Sequence, residues 1–412
     1  MTRPAVTVIL PFSGDASDAE RMIRAMRAIT LSPADELLLI DNSSPPRLSA
    51  DDVPSGWRVV IAGDERSAYY ARNIGAALAR REWLLFTDAD CAPDAAILDA
   101  YLEQEPGSRC GAIAGGIKPA LEQTAFLARW AQWRAILDQR HGTGHPFRPF
   151  ASTANLLVRR AAFEEAGGFC EGIRSAGDAD LCWRLQELGW ELEERPAALI
   201  RHRHRERLGD LVHQAMRYGR GRAWLGRRFP QCPPSTGVAR QILRALAAVP
   251  FHALRGNLER AGFRAVDASF ALAMALARPL TNRPGAPVVQ RARATVVMGR
   301  YPGPDIPAAV PDGLRIEAGH RPLAVRDRDI RHHDVTYCED DCVADRIRAC
   351  AALLARHPFR VLRALGRGRL AHAAPAARAM RAGGDLRAGG DDAIAAAQEM
   401  SALTGLPLRV DP

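Results

Sequence analysis

Lysine is nearly missing from this chain: Lys118 is the only one in 412 residues, so arginine carries almost all of the basic side of the +9 formal charge. Codon bias of a GC-rich genome explains abundant Arg and Ala. The functional alternative is arginine placed to hold phosphates, because the planar guanidinium binds phosphate through two donors at once. With so little lysine, no Gly-x-x-x-x-Gly-Lys-Ser/Thr phosphate loop exists, and Gly219-Arg-Gly221 follows no strand, so a dinucleotide fingerprint is not supported. Long apolar runs are also missing. The best, 268–277, is bounded by Asp267 and Arg278, far short of the about 20 residues that cross a bilayer. Met1-Thr2-Arg3-Pro4 runs directly into a strand-like stretch, so we expect no signal peptide. The eight cysteines are scattered and form no disulfide framework, which points to a reducing cytoplasm. His332, His333, Cys338, Cys342 and Cys350 match no zinc spacing, and packing is the better reading of those cysteines.

What is present is an ordinary globular balance, 47% apolar and 25% charged, in a length that suits two or three domains. Short apolar runs at 6–10, 36–40, 59–61, 83–87, 110–114 and 155–158 read as strands. Helical patterns at 16–29, 71–80, 93–103, 124–139 and 160–166 separate them, and a further helix begins near Asp180 and ends at Gly189. This alternation predicts an α/β fold with a mostly parallel sheet and helices on both faces. Ligands of such sheets bind beyond the carboxyl ends of the strands. A basic stretch, 201–228, leads through a Pro-rich loop, 229–237, into Ala/Leu-rich helices at 241–277. The segment 279–287 is the expected boundary of a C-terminal part with strands at 295–298 and 314–316 and a helix over 342–365. We therefore expect domains at 1–228, 229–286 and 287–412.

The strongest chemical signal is Trp83-Leu-Leu-Phe-Thr-Asp88-Ala-Asp90-Cys91, an apolar strand ending in two aspartates one residue apart. Carboxylates at a strand end can converge on one hard cation, Mn²⁺ or Mg²⁺, together with substrate phosphates. Asp41 ends another strand. Ala71-Arg72-Asn73-Ile74-Gly75 is expected to open a helix, where free N–H groups and a guanidinium would face a phosphate together.

Pro11, Asp41, Arg72-Asn73-x-Gly75 and Asp88-x-Asp90 stand in the order and spacing of the inverting family 2 glycosyltransferases of GT-A type, which the chain resembles over residues 4–228. The resemblance implies a GT-A type, Rossmann-like sheet, a nucleotide-sugar donor (a UDP-linked one expected) and a divalent cation. It continues in Ser175-Ala-Gly-Asp178-Ala-Asp180-Leu-Cys-Trp183-Arg184, similar to the family's Glu-Asp-x-Asp-Leu-x-x-Arg segment, with Gly177 where that segment has Glu. By this resemblance the catalytic base is Asp178 or Asp180. Pro11, Asp41, Arg72, Asn73, Asp88 and Arg217 bind the nucleotide sugar, and Asp88, Asp90 and His202 hold the metal, with His204 as the second histidine. Trp183 and Tyr218 face the acceptor. Gln214-Ala-Met-Arg217-Tyr218 is similar to the Gln-x-x-Arg-Trp motif of processive members, with Tyr in place of Trp. The C-terminal part looks like an interior fragment of family 4 glycosyltransferases.

The implied partners are the donor and an acceptor hydroxyl on a glycan, a lipid-linked carrier or a small molecule. A nucleotidyltransferase, a degenerate scaffold without catalysis and a basic nucleic-acid-binding protein are the rival readings. Few aromatics interleave the arginines to stack bases, so no nucleic-acid partner is expected. The basic stretch suits either phosphate or anionic lipid, the latter as peripheral contact at the inner face of the membrane.

Overall fold

The computed structural model describes residues 3–234, 237–283, 294–300, 314–320, 335–337, 340–357, 360–361, 372–382, 385–388, 391–404 and 406–410. The chain divides into two units, one of Met1–Tyr218 with Ser235–Ala275, the other of Gly219–Pro234 with Leu276–Pro412.

The first unit is built on an eight-stranded sheet. Its strands are β1 (Val6–Phe12), β2 (Glu36–Asp41), β3 (Arg58–Ile61), β4 (Trp83–Thr87), β5 (Cys91–Pro93), β6 (Cys110–Pro119), β7 (Asn155–Arg159) and β8 (Glu191–His202). They lie in the order β3-β2-β1-β4-β7-β6-β8-β5. β3, β2, β1 and β4 run parallel, β7 is antiparallel to both its neighbours, and β5 pairs antiparallel to the end of β8. β1 is buried along its whole length, as expected of a central strand covered on both faces. Val8, Leu10, Leu37, Leu39 and Leu85 face a core that includes Met22 and Met26 of helix α1 (Ala16–Met26). Ile9, Leu38, Ile40, Leu84 and Phe86 face the opposite core with Ala71 and Ala76 of helix α2 (Ala68–Leu78). The period of two thus splits each strand between two helical layers, and the α/β sandwich read from the sequence is present. A Cβ on Gly75 would lie 2.5 Å from Ile9 Cγ2, so this glycine lets α2 lie close on β1.

Several boundaries differ from expectation. Helix α2 starts at Ala68 after Ser67, not near Ala71. Arg72 and Asn73 therefore sit past the first turn, where backbone N–H groups are already spent inside the helix, and can offer a ligand only side chains. The expected helix over 93–103 is the short strand β5 and then α3 (Ile97–Leu102). The one over 124–139 is α4 (Phe126–Trp133), then α5 (Arg140–Thr143) beyond a break at Ala135 and Leu137, both at positive φ. After α6 (Arg160–Glu165), α7 runs over Gly177–Glu187, and α8 spans Leu208–Arg228. The Ala/Leu-rich region forms two helices, α9 (Val238–Leu254) and α10 (Leu258–Ala277).

The second unit carries a separate, wholly parallel five-stranded sheet, including Ala294–Arg300 and Leu314–His320. The helices Val343–Arg356, Ala373–Ala382 and Asp391–Thr404 contribute Leu353, Ala376 and Met400 to its core. The expected helix over 342–365 is present to Arg356, and 362–365 fall outside the described residues, as do His332, His333 and Cys338. No helix among the described residues is long and apolar enough to cross a membrane.

Candidate active site

The end of β4 delivers Asp88 and Asp90 to the carboxyl edge of the sheet, where their carboxylates take different partners. Asp88 pairs with Arg72 of α2, whose guanidinium is almost fully buried. Asp90 faces His202 at the end of β8, with 3.3 Å from Nε2 to Oδ1, and lies 3.4 Å from Arg205. Burial pushes the Asp90 carboxyl up, but His202 and Arg205 outweigh it and hold it near 2. The same contact raises His202 against the lowering effect of its own burial.

The pairing of β5 with β8 sets Cys91 directly across from His202. One ligand atom each from Asp90, Cys91 and His202 lies within 4.8 Å of the others. The buried Nδ1 of His202 has no hydrogen-bond partner among the described residues. This O, N and S donor set fits a divalent cation. Asp88 is not one of the three. His204 stays out of the cluster too: burial and His202 hold its imidazole near 4, and its backbone N–H donates to Gln123.

The N-terminus of α7 supplies the second wall. Ala176 takes a left-handed conformation, φ 72°, and turns the chain into Gly177-Asp178. The carboxyl of Asp178 is raised by burial and further by Asp88, while Arg72 opposes the shift. Asp180 is fully buried and accepts two hydrogen bonds from Arg184, which also donates to the carbonyls of Ala166 and Gly168. The two candidate bases thus have different surroundings: Asp178 borders the Arg72–Asp88 pair, whereas Asp180 is locked in a structural pair.

Sequence reasoning missed Tyr69. Its hydroxyl accepts the Gly177 N–H at 2.9 Å, its ring packs on Phe169 at 5.6 Å, and Arg72 lies 5.7 Å from its centroid. Burial and the charge of Asp178 push the phenol up, while Arg72 and Arg217 pull it back, so all three reach this point electrostatically. No motif marks position 69; the only hint is its place one turn before Arg72 on the same helix. Tyr218 also feels Arg217 and Asp178, and its hydroxyl accepts from Gln214 at 3.1 Å. Arg217 itself is exposed.

The remaining predicted residues are held by their own neighbours. Asn73 is buried and clasps Phe169 through both ends of its amide, also donating to Glu171. Asp41 is buried; its own burial raises it, but the N–H groups of Arg47, Ser43 and Leu48 hold the carboxyl below its ordinary range. Pro11 is buried in β1 beside Ile40 of β2. Trp183 is buried among His145, Phe147 and Phe150 and donates from Nε1 to the Arg148 carbonyl, so its ring is held by packing.

Part of this edge lies in a segment similar to known proteins. Residues 7–167 match the family model described as glycosyl transferase family 2. The chain is 28% identical over 232 residues to a pre-mycofactocin glycosyltransferase of Mycobacterium tuberculosis, covering 55% of this chain and 48% of the relative. It is 24% identical over 277 residues to glycosyltransferase AglE of Haloferax volcanii, covering 65% of this chain and 90% of that one. Among solved structures, the mannosyltransferase PcManGT from Pyrobaculum calidifontis, in complex with GDP-Man and Mn²⁺, aligns with a TM-score of 0.49 and 18% identity, over 67% of this chain and 87% of its own. The chain spans about half the length of the first curated relative. The family 4 likeness of the C-terminal part finds no support in these relatives.

Proposed function

From the match of residues 7–167 to the glycosyl transferase family 2 model we propose that this chain moves a sugar from a nucleotide-diphosphate donor, UDP-linked in our reading, to an acceptor hydroxyl with inversion. The observation that carries this reading is the convergence of Asp178, Arg72 and Asp88 at one sheet edge, with Asp178 raised by burial. A carboxylate raised in this way is a stronger base than an ordinary aspartate. Asp178 takes the proton of the acceptor hydroxyl as its oxygen attacks the anomeric carbon. The bond from that carbon to the diphosphate breaks on the opposite face, and the electron pair leaves with the nucleoside diphosphate.

Arg72 and Arg217 neutralise the departing phosphates, and the arginine fork suits them. Asp88 orients Arg72 and meets the ribose side of the nucleotide. Pro11 and Asp41 shape the floor under the base, Asn73 holds the 169–171 turn against α2, and Tyr218 faces the acceptor with Trp183 packed behind. Asp90 and His202 would hold Mn²⁺ or Mg²⁺, with Cys91 beside them; such an ion supplies Lewis-acid stabilisation of the leaving diphosphate. The acceptor is a glycan, lipid-linked or small-molecule hydroxyl. Residues 1–228 form the catalytic part in this reading, with 229–286 a helical extension and 287–412 an accessory domain. In this reading the chain works in a reducing compartment such as the cytoplasm.

The test is Asp178→Asn. General-base loss lowers turnover by about 10²–10⁴-fold, while nucleoside-diphosphate affinity by calorimetry stays at the wild-type value. Wild-type turnover in this variant overturns the base assignment. Release of pyrophosphate in place of a nucleoside diphosphate overturns the reaction class in favour of nucleotidyl transfer.

A further inference from the structure

Helix α9 (Val238–Leu254) buries almost none of its length, Ala245 being its one buried residue. Its outward side is nonetheless apolar. Leu243, Leu246 and Leu254 are 66%, 52% and 89% exposed, and the spacing 243, 246, 250, 254 places them with Pro250 along one stripe of a 3.6-residue helix. Leu258, 73% exposed, follows at the start of α10. Water wets this stripe at a cost that a soluble helix ordinarily avoids by facing its leucines inward.

The charges beside the stripe define what can cover it. Arg240 and Arg244 flank it on one side, and Arg255 continues that flank with its guanidinium 4.2 Å from the Phe251 centroid. None of the three forms an ion pair among the described residues. Between Asp210 and Glu259 the chain contains no acidic residue at all. A second protein surface is ordinarily of mixed charge and gains little from such a uniform field. An anionic lipid surface meets both features at once, leucines entering the acyl boundary and arginines resting on the headgroups. Among the described residues no helix is able to cross a membrane, and α9 has the character of a helix lying in the interfacial plane.

We infer that α9 is a membrane-surface helix whose partner is an anionic lipid bilayer. The inference stands on the exposed stripe and the charge pattern and does not rest on the glycosyl-transfer reading. It places a lipid-facing element at α9, beyond the basic stretch 201–228.

The experiment is sedimentation of the 412-residue chain with vesicles of phosphatidylcholine alone and of an equal mixture of phosphatidylcholine and phosphatidylglycerol. The wild-type chain should pellet with the anionic vesicles, less so as salt rises, and stay in solution with the neutral ones. Each arginine at such a surface contributes about 1 kcal/mol, or roughly fivefold. Arg240→Gln, Arg244→Gln and Arg255→Gln together should therefore weaken partitioning on the order of 100-fold. Leu246→Glu with Leu254→Glu should weaken it at least about tenfold, since two apolar anchors are lost. Both positions are exposed, so these variants keep the wild-type circular dichroism and melting temperature. Failure to pellet with anionic vesicles overturns the inference. So does binding that survives the leucine substitutions, or a leucine-dependent dimer by light scattering in a chain that ignores vesicles.

Discussion

Tyr69 lies directly against Gly177, and the strength of that contact is measurable. A Cβ built on Gly177 lies 2.7 Å from Cε1 and Cζ of Tyr69 and 3.0 Å from Cδ1, against 3.4–4 Å for an ordinary contact. Gly177→Ala therefore forces the ring back by about 1 Å, and a glutamate stem would do the same. Withdrawal stretches the 2.9 Å bond from the Gly177 N–H to the phenol oxygen, worth about 0.5–1.5 kcal/mol. It also loosens the tilted contact with Phe169, worth about 0.5–1.5 kcal/mol. Against this, alanine favours the helix over glycine by up to about 1 kcal/mol. The net cost of Gly177→Ala is thus about 1 kcal/mol in the native background. With Tyr69→Ala the obstruction is gone, and the same change should stabilise by a few tenths of a kcal/mol or more.

Urea unfolding of the wild type, both single variants and the double variant closes the cycle. We expect a coupling energy of about 1–2 kcal/mol, with turnover reduced in Gly177→Ala because Arg72 lies beside the displaced ring. A coupling within about 0.5 kcal/mol, the ordinary error of additivity, refutes the argument that the two residues are matched.

Two further outcomes separate structural from chemical roles. Asp180→Asn breaks a fully buried ion pair with Arg184 and should destabilise the fold by about 3–5 kcal/mol, the usual cost of removing one partner. If Asp180→Asn keeps wild-type stability and loses turnover, the base is Asp180 and not Asp178. The second concerns acid. Burial raises the Asp35 carboxyl, but Arg3, the N–H groups of Val6 and Ser32 and the Ser32 hydroxyl outweigh it and hold it near 2. A carboxyl lowered on folding stabilises above its unfolded value and loses that contribution as pH falls from about 4 to about 2. After allowance for screening near the surface, the loss is about 1–2 kcal/mol. Asp35→Asn should flatten this part of the stability–pH curve, and an unchanged slope would show that the group contributes nothing there.

The parts legible in the sequence were those where one physical requirement acts over several residues. The runs of β1, β2 and β4 must be apolar on both faces, so their composition alone declares them, and Asp41, Asp88 and Asp90 follow by position at their ends. The break between α4 and α5 could not be read, because Ala135 and Leu137 adopt positive φ, which L residues ordinarily avoid. β5 was hidden in the same way: three residues containing a proline resemble a helix start until β8 arrives to pair with them. The Asp180–Arg184 pair, by contrast, had a readable signal in its i, i+4 spacing.

Within the site, the sequence named the charged residues but not the surfaces that decide which of them is chemically free. Asp178 and Asp180 are two positions apart on one helix, and no rule of spacing ranks them. Their neighbours differ: Arg184 donates twice to Asp180 from within the helix, and Tyr69 occupies the volume beside Gly177 and accepts its N–H from outside. The glycine at 177 thus has a packed neighbour rather than an empty volume beside it. The ring of Tyr69 fills that volume from α2, so the turn that presents Asp178 is braced by packing between two helices where the related pattern has a carboxylate.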